Sequence, residues 1–152
     1  MKNKNWPAYS NLEIKEVIKI LKSGKVNYWT GKYCKKFEKL YSEAFGLNYC
    51  ITLANGTLAL EAALKSLDLK KGDEVIVPCK SYQSSASSIV TSGGTPIFCD
   101  IDFNSQNIDT NDLLRKISKK TKAIICVHLG GWPCDMNKIV KIVNKKKLIL
   151  IE

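Results

Sequence analysis

Residues 122–151, KAIICVHLGGWPCDMNKIVKIVNKKKLILI, contain the pattern that decides the fold. A nearly continuous apolar run over residues 122–127 is followed by a loop, a helical pattern over residues 135–145 and a second apolar run over residues 148–151. Short apolar runs that alternate with helices are typical of strands buried on both faces of a parallel sheet. This stretch therefore predicts a strand, a crossover helix and a second, parallel strand.

The same alternation extends toward the N-terminus. Two helices come first, one over residues 11–23 and one that presents Phe37, Leu40, Tyr41 and Ala44 and ends at Gly46. The pattern then predicts strands near 49–53, 74–77 and 96–99 and helices over 57–67, 84–92 and 110–118. No linker or internal repeat interrupts the series. We therefore predict an α/β fold with three layers, αβα, around a mainly parallel sheet.

The end of the chain bears on the extent of this domain. Glu152 follows directly on the last apolar run, with no helix after it to cover that strand. In open α/β sheets the ligand binds outside the carboxyl ends of the strands, which is where this sequence stops. We expect residues 1–152 to be the N-terminal part of a larger domain, truncated after a core strand, with the C-terminal half absent.

The composition bears on the partners. The chain carries 24 Lys+Arg against 14 Asp+Glu, a net charge of +10, yet Arg115 is its single arginine. Base recognition and bidentate phosphate contacts favour arginine over lysine, so we predict no nucleic-acid partner. A positive surface would instead attract an acidic small substrate such as a nucleotide diphosphate.

Membrane and metal sites are not predicted either. The apolar runs are far shorter than the roughly 20 residues that a bilayer-spanning helix requires, and no apolar secretion signal follows the N-terminus. We expect a cytoplasmic protein with no membrane partner. The six cysteines form no C-x-x-C pair and His128 is the single histidine, so the sequence predicts no metal site.

A candidate anion site lies at Asn55-Gly56-Thr57, between the predicted strand 49–53 and the following helix. A glycine and a hydroxyl at a helix start leave backbone N–H groups and an oxygen free to bind an anion at the positive end of the helix dipole. The alternative is that Asn55 or Thr57 only caps the helix, as Asn and Thr commonly do. The residues alone leave both interpretations open.

Three further candidates lie at predicted strand ends. Tyr82 follows strand 74–77, where an aromatic ring can stack on a planar cofactor, although an ordinary core or surface tyrosine explains it as well. Lys80 is a candidate for covalent attachment of a carbonyl, with a solvated surface lysine as the better interpretation. His128 either contacts a ligand or is a satisfied structural group.

Taken in order, these segments resemble the sugar aminotransferases of the DegT family, which are pyridoxal-phosphate (PLP) enzymes of the aspartate-aminotransferase (type I) fold. The resemblance covers nearly the whole chain. Its motifs are Tyr28-Trp29-Thr30-Gly31 with Phe37-Glu38 downstream, Asn55 to Leu60, Lys71 to Pro78, Pro96 to Asp102, Asn107-Ile108-Asp109, and His128 to Met136. Their order and spacing together carry the resemblance, which identifies the predicted domain as part of the large domain of such an enzyme.

The resemblance implies a cofactor, a reaction and a set of site residues. Gly56 and Thr57 match the turn that binds the PLP phosphate, and Tyr82 matches the aromatic residue that stacks on the pyridine ring. Tyr28, Trp29 and Thr30 match a loop near the sugar-nucleotide site. The implied reaction is transfer of an amino group from glutamate to a nucleotide-linked keto sugar. The implied setting is surface polysaccharide or lipopolysaccharide biosynthesis, with a homodimer as the active form.

Two residues that the family uses are missing from the sequence. The aspartate that pairs with the pyridine nitrogen and the lysine that carries the cofactor are both expected beyond Glu152, so we predict no catalytic residue here and an inactive 152-residue chain. Some relatives are dehydratases with histidine in place of that lysine. A sugar dehydratase is therefore one alternative, and a non-catalytic α/β binding or regulatory module is another. The sequence predicts neither the nucleotide sugar nor the carbon that is aminated.

Overall fold

The computed structural model describes residues 6–152. The chain forms two compact units, Met1–Thr52 and Leu53–Glu152. The described part of the first unit contains the two predicted helices, α1 (Asn11–Lys22) and α2 (Tyr33–Phe45). Ser10 begins α1 with a capping box in which its side chain and that of Glu13 each accept the other's backbone N–H. Gly46 ends α2 in the left-handed conformation at φ 63°.

The strand predicted near residues 49–53 is wrong. The segment is irregular, and Tyr49 and Ile51 expose 89% and 77% of their surface. A strand requires a neighbour that completes its backbone ladder, and none of the strands in the described residues pairs with this segment. The Thr52 amide instead donates to the carboxylate of Glu38 at 2.8 Å. Apolar composition alone therefore mispredicted this segment.

The second unit alternates helices and strands as predicted. Its elements are α3 (Gly56–Lys65), β1 (Glu74–Pro78), α4 (Ser84–Thr91), β2 (Thr95–Cys99), α5 (Thr110–Lys116), β3 (Thr121–Ile125), a short 3₁₀ turn (Leu129–Gly131), α6 (Met136–Lys146) and β4 (Ile149–Ile151). The four strands form one parallel sheet in the order β2-β1-β3-β4. None of the helices within residues 6–152 is long and apolar enough to cross a membrane.

Two apolar cores cover the two faces of this sheet. Alternate residues of a strand point to opposite faces, so Val75 and Val77 pack with Leu64 of α3 and Ile89 of α4. Ile76, which lies between the two valines, belongs to the other core. Ile124, Leu113 of α5 and Ile139 of α6 complete that second core. Helices therefore lie on both sides of the sheet, which confirms the three-layer αβα arrangement.

The strand order places a crevice between β1 and β3. From β1 the chain crosses to β2 on one side, whereas from β3 it continues to β4 on the other side. The helices that follow such diverging strands lie on opposite faces of the sheet, so their loops separate at the carboxyl ends of the two strands. This switch point is where open α/β sheets bind their ligands.

Asp112 provides a test of this packing in acid. Its carboxylate accepts the Asp100 amide at 2.8 Å and pairs with Arg115 at 3.1 Å, and these contacts hold the pKa of Asp112 below its usual range. Because the folded pKa is lowered, the stabilisation is complete above the pKa of an unfolded aspartate, about 3.9. It is lost as the pH falls through the lower folded value. Asp112→Asn should lower the free energy of unfolding at pH 7 by about 1–2 kcal/mol.

The measurement for Asp112 is urea unfolding at several pH values. The unfolding free energy of the variant should fall less steeply between pH 5 and pH 2, roughly the window over which such a carboxylate titrates. Glu43→Gln is the control, because Glu43 forms only a solvent-exposed pair with Lys39 at 3.8 Å. Equal acid sensitivity in the wild type and Asp112→Asn would contradict the assignment.

Candidate functional site

A cavity of about 670 Å³ opens at the switch point of the sheet. Its walls come from the start of α3, the segment after β1, the end of β3 with its following loop, and the end of β4. The volume lies within the roughly 300–1,000 Å³ of small-molecule sites. The cavity is therefore the candidate functional site of the second unit.

The start of α3 supplies free hydrogen-bond donors to this cavity. Asn55 caps the helix, because its side-chain oxygen accepts the Leu58 amide at 3.0 Å and its backbone oxygen accepts the Ala59 amide at 3.1 Å. The amides of Gly56 and Thr57 and the Thr57 hydroxyl donate to none of the residues that the structure describes. Asn55 caps the helix, whereas the donors of Gly56 and Thr57 are free to bind an anion. Capping and anion binding are therefore both compatible with this segment.

Gly56 leaves this helix start open. A Cβ atom built there would meet no atom within 4 Å, so nothing in the protein requires glycine at this position for packing. Gly56 lines the cavity. A glycine there allows a ligand to approach the backbone amides closely.

Tyr82 also lines the cavity, from the segment that follows β1. Its surface is 78% exposed, so Tyr82 is not a core residue, and an ordinary surface tyrosine stays open beside a stacking role. The segment is fixed by the Ser85 amide, which donates to the Tyr82 carbonyl at 3.0 Å, and by the hydroxyls of Ser81 and Ser85, which are 2.7 Å apart. The exposed tyrosine is thus carried on a fixed backbone and lines the same cavity as the start of α3.

His128 lies on the cavity wall at the end of β3 and is bonded at both ring nitrogens. Its Nδ1 accepts the Cys134 amide at 3.0 Å, so the proton of the neutral ring is on Nε2. The Nε2–H donates to the Glu152 carboxylate at 3.1 Å. His128 is therefore both structurally satisfied and able to face a ligand.

Lys80 does not line the cavity. Its ammonium group donates to the side-chain oxygen of Gln106 at 2.6 Å on the exposed surface. The structure therefore favours the interpretation of Lys80 as a surface lysine.

The loop of Tyr28, Trp29 and Thr30 belongs to the first unit. The side-chain oxygen of Asn27 accepts the amides of Trp29 and Thr30 at 3.0 and 2.9 Å, which shapes the loop as a turn. The Tyr28 hydroxyl donates to Glu38 at 3.3 Å, whereas Trp29 is 85% exposed. The structure thus brings Gly56, Thr57 and Tyr82 to one cavity and places the other three predicted residues together in a separate unit.

Some cavity residues were missed by sequence reasoning. Ser81 and Ser85 stabilise the segment that carries Tyr82, and Glu152 is the partner of His128. The serines had no signal beyond a stretch of small residues. Glu152 is 24 residues from His128 in the sequence, and only adjacent parallel strands bring the two side chains together.

Comparison with known proteins assigns the chain to a family. The DegT/DnrJ/EryC1/StrS aminotransferase family matches residues 7–152. The chain belongs to this family. GDP-perosamine synthase of Escherichia coli O157:H7 is 45% identical over 122 residues, which are 80% of this chain and 34% of that protein. The X-ray structure of an aminotransferase from Psychrobacter cryohalolentis has a TM-score of 0.93 at 43% identity and covers 97% of this chain and 37% of its own.

A third relative of the DegT-family chain carries the cofactor. It is the E. coli GDP-4-keto-6-deoxy-D-mannose-3-dehydratase with bound hydrated PLP, at a TM-score of 0.84 and 32% identity, covering 94% of this chain and 38% of that one. The predicted family, fold and PLP cofactor are thereby confirmed. The chain spans about a third of the length of the relatives that it matches.

The residues of the cavity fit PLP. Two free amides and a hydroxyl at the positive end of α3 suit its phosphate group, because they supply several donors at one point. The exposed Tyr82 ring suits its planar pyridine ring, since offset stacking buries apolar surface on both rings. The chemistry of Gly56, Thr57 and Tyr82 in this DegT-family chain is thus compatible with the cofactor.

Proposed function

We propose that this chain is the N-terminal part of the large domain of a PLP-dependent sugar aminotransferase. The parent protein would transfer an amino group from glutamate to a nucleotide-linked keto sugar, for surface polysaccharide or lipopolysaccharide biosynthesis. The observation that carries the proposal is that one cavity is lined both by Gly56 and Thr57, with their free donors, and by the exposed Tyr82. Relatives that act on GDP-linked sugars support the choice of substrate class.

The chain's own residues bind and orient the cofactor in this proposal. The Gly56 and Thr57 amides and the Thr57 hydroxyl donate to the phosphate, and the α3 dipole favours its negative charge. Tyr82 covers one face of the pyridine ring, which restricts its rotation and excludes water from that face. When bound, PLP supplies the electron sink that the transfer of an amino group requires.

The loop of Tyr28, Trp29 and Thr30 is proposed to contact the sugar nucleotide. The exposed Trp29 ring offers a stacking surface for a planar base, and its backbone is held by Asn27. The net charge of +10 favours the approach of a diphosphate. Neither feature identifies the nucleotide.

We propose that the 152-residue chain alone transfers no amino groups. In this family a lysine carries the cofactor and an aspartate pairs with its pyridine nitrogen, and both are expected beyond Glu152 in the parent. The homodimer and the cytoplasmic location stay predictions. The alternative of a non-catalytic binding or regulatory module is disfavoured by the match to an aminotransferase family over residues 7–152.

A sugar dehydratase is the second candidate, because one solved relative has that activity at 32% identity. The coding sequence after codon 152 separates the two candidates, since lysine at the cofactor position predicts an aminotransferase and histidine a dehydratase. The complete polypeptide, incubated with PLP, glutamate and a GDP-linked 4-keto sugar, should form amino sugar and 2-oxoglutarate in equal amounts. A deoxygenated keto sugar without amino sugar would instead establish the dehydratase.

Tyr82 provides a test of the cofactor orientation. Tyr82→Ala should weaken PLP binding about tenfold, because the loss of stacking and of buried aromatic surface is worth roughly 1.5 kcal/mol. Tyr82→Phe should bind within about twofold of wild type, since the ring is retained. Equilibrium dialysis of the chain against PLP measures both variants. Equal binding by Tyr82→Ala and wild type would place the cofactor away from this ring.

A further inference from the structure

Residues 128–130 line the cavity and begin a loop, residues 128–133, that is held by a side chain outside the cavity. Asn107 is only 3% exposed and lies in the hairpin closed by the bridge between Ile101 and Ile108. Its side-chain oxygen accepts the Leu129 amide at 3.1 Å, and its side-chain nitrogen donates to the Trp132 carbonyl at 2.8 Å. Both ends of the amide therefore bind the backbone of the loop.

Apart from the two bonds to Asn107, few hydrogen bonds hold the backbone of the loop in place. Gly130 and Gly131 follow one another with φ of 63° and 84°, in the left-handed region that glycine reaches at no steric cost. The loop's own backbone bonds join Gly131 to His128 and Trp132 to Leu129 at 3.0 and 3.1 Å. Two glycines that are free to adopt other conformations leave such a short turn easily rearranged. The hydrogen bonds from the buried Asn107 side chain restrict this rearrangement.

Asn107 is itself rigidly held. Its carbonyl accepts the Asp102 amide at 2.8 Å, so the side chain projects from a fixed backbone. A buried amide with both of its functional atoms paired is a specific arrangement, because an unpaired buried donor or acceptor is costly. The two hydrogen bonds from Asn107 to Leu129 and Trp132 therefore fix the position of the loop relative to the hairpin.

The loop in turn determines the ring orientation and the neutral tautomer of His128. The Cys134 amide reaches Nδ1 of His128 only while the loop between the two residues keeps its shape. That bond places the ring proton on Nε2, which is the nitrogen bonded to Glu152 at the cavity wall. Release of the loop would let the ring rotate and take up either neutral tautomer.

We propose that Asn107 is a positioning residue of the cavity, which clamps the 128–132 backbone so that the Nε2–H of His128 holds the Glu152 carboxylate at the wall of the cavity where PLP would bind. The statement about the ligand rests on the proposed function, since it takes the cavity to hold PLP. The statement about the loop rests on the Asn107 contacts alone. The two statements can therefore be tested separately.

The test uses the single histidine of the 152-residue chain, because ¹⁵N spectra of the imidazole then report His128 alone. The neutral form of the ring should be the Nε2–H tautomer in the wild type. Asn107→Ala should show a mixture of both tautomers and bind PLP about tenfold more weakly, with a far-ultraviolet dichroism spectrum like that of the wild type. Asn104→Ala is the matched control, since Asn104 lies in the same hairpin and its side chain bonds to no residue that the structure describes.

Asn107→Asp covers the case in which the alanine variant fails to fold. Aspartate has the same shape and keeps the acceptor for Leu129 but loses the donor to Trp132, so an intermediate tautomer mixture is expected. A wild-type His128 spectrum in Asn107→Asp, or in a folded Asn107→Ala, would overturn the inference. If PLP fails to shift the His128 and Thr57 signals of the wild type while Asn107→Ala still changes the tautomer, the clamp is correct and the proposed function is wrong.

Discussion

Thr57→Val should weaken PLP binding by about 10–30-fold. The substitution keeps the shape of the side chain and removes the hydroxyl, which makes no hydrogen bond to the described residues and is thus free for the phosphate. A hydrogen bond to a charged group contributes roughly 1.5–3 kcal/mol, so its loss corresponds to a change of at least tenfold in affinity. Equilibrium dialysis of the chain against PLP measures the effect.

Two comparisons make the Thr57 result specific. Pyridoxal, which lacks the phosphate, should bind Thr57→Val and wild type equally well, because the deleted hydroxyl faces only the phosphate in this proposal. Thr57→Ser should retain most of the affinity for PLP, since serine keeps the hydroxyl. If valine weakened the binding of PLP and pyridoxal equally, the phosphate would lie elsewhere in the cavity.

Ile124→Ala should lower the free energy of unfolding of the chain by about 4 kcal/mol, as measured by urea denaturation. Ile124 is fully buried in β3, the strand between β1 and β4, and packs in the core under α5 and α6. Truncation of a buried isoleucine to alanine costs roughly 2–5 kcal/mol, because it loses apolar burial and leaves a cavity. Since domains of this size are stable by only about 5–15 kcal/mol, the variant should be close to unfolding.

Ile149→Ala is the matched control for this effect. Ile149 lies in the edge strand β4 of the same sheet but is 47% exposed, so less apolar surface is lost. We expect a decrease of about 1 kcal/mol. Similar losses for the two variants would contradict the assignment of the core to the centre of the sheet.

The helices and strands of the second unit were predictable because their signals are local. The apolar run around Ile124 indicated a strand covered on both faces, and alternate side chains of that strand indeed enter the two different cores. The segment at residues 49–53 carried a similar run and is irregular. A strand exists only when a neighbour completes its ladder, and local sequence does not state whether that neighbour is present.

The candidate site was predictable in its parts. Each of Gly56, Thr57 and Tyr82 was singled out at a strand end or helix start, but residue type left open whether Asn55 or Thr57 only caps the helix. The structure gives the cap to Asn55. It also shows that Lys80 lies outside the cavity, bonded to Gln106.

The sequence by itself determined the α/β class, the two N-terminal helices and the family. These depend on side-chain periodicity and on motifs that lie within short stretches. Only the tertiary structure decided that Thr57 and Tyr82 share one cavity, and that His128 is fixed by Cys134 and Glu152. The physical reason is the strand order β2-β1-β3-β4, which brings distant loops together at the carboxyl edge of the sheet and is set by long-range packing.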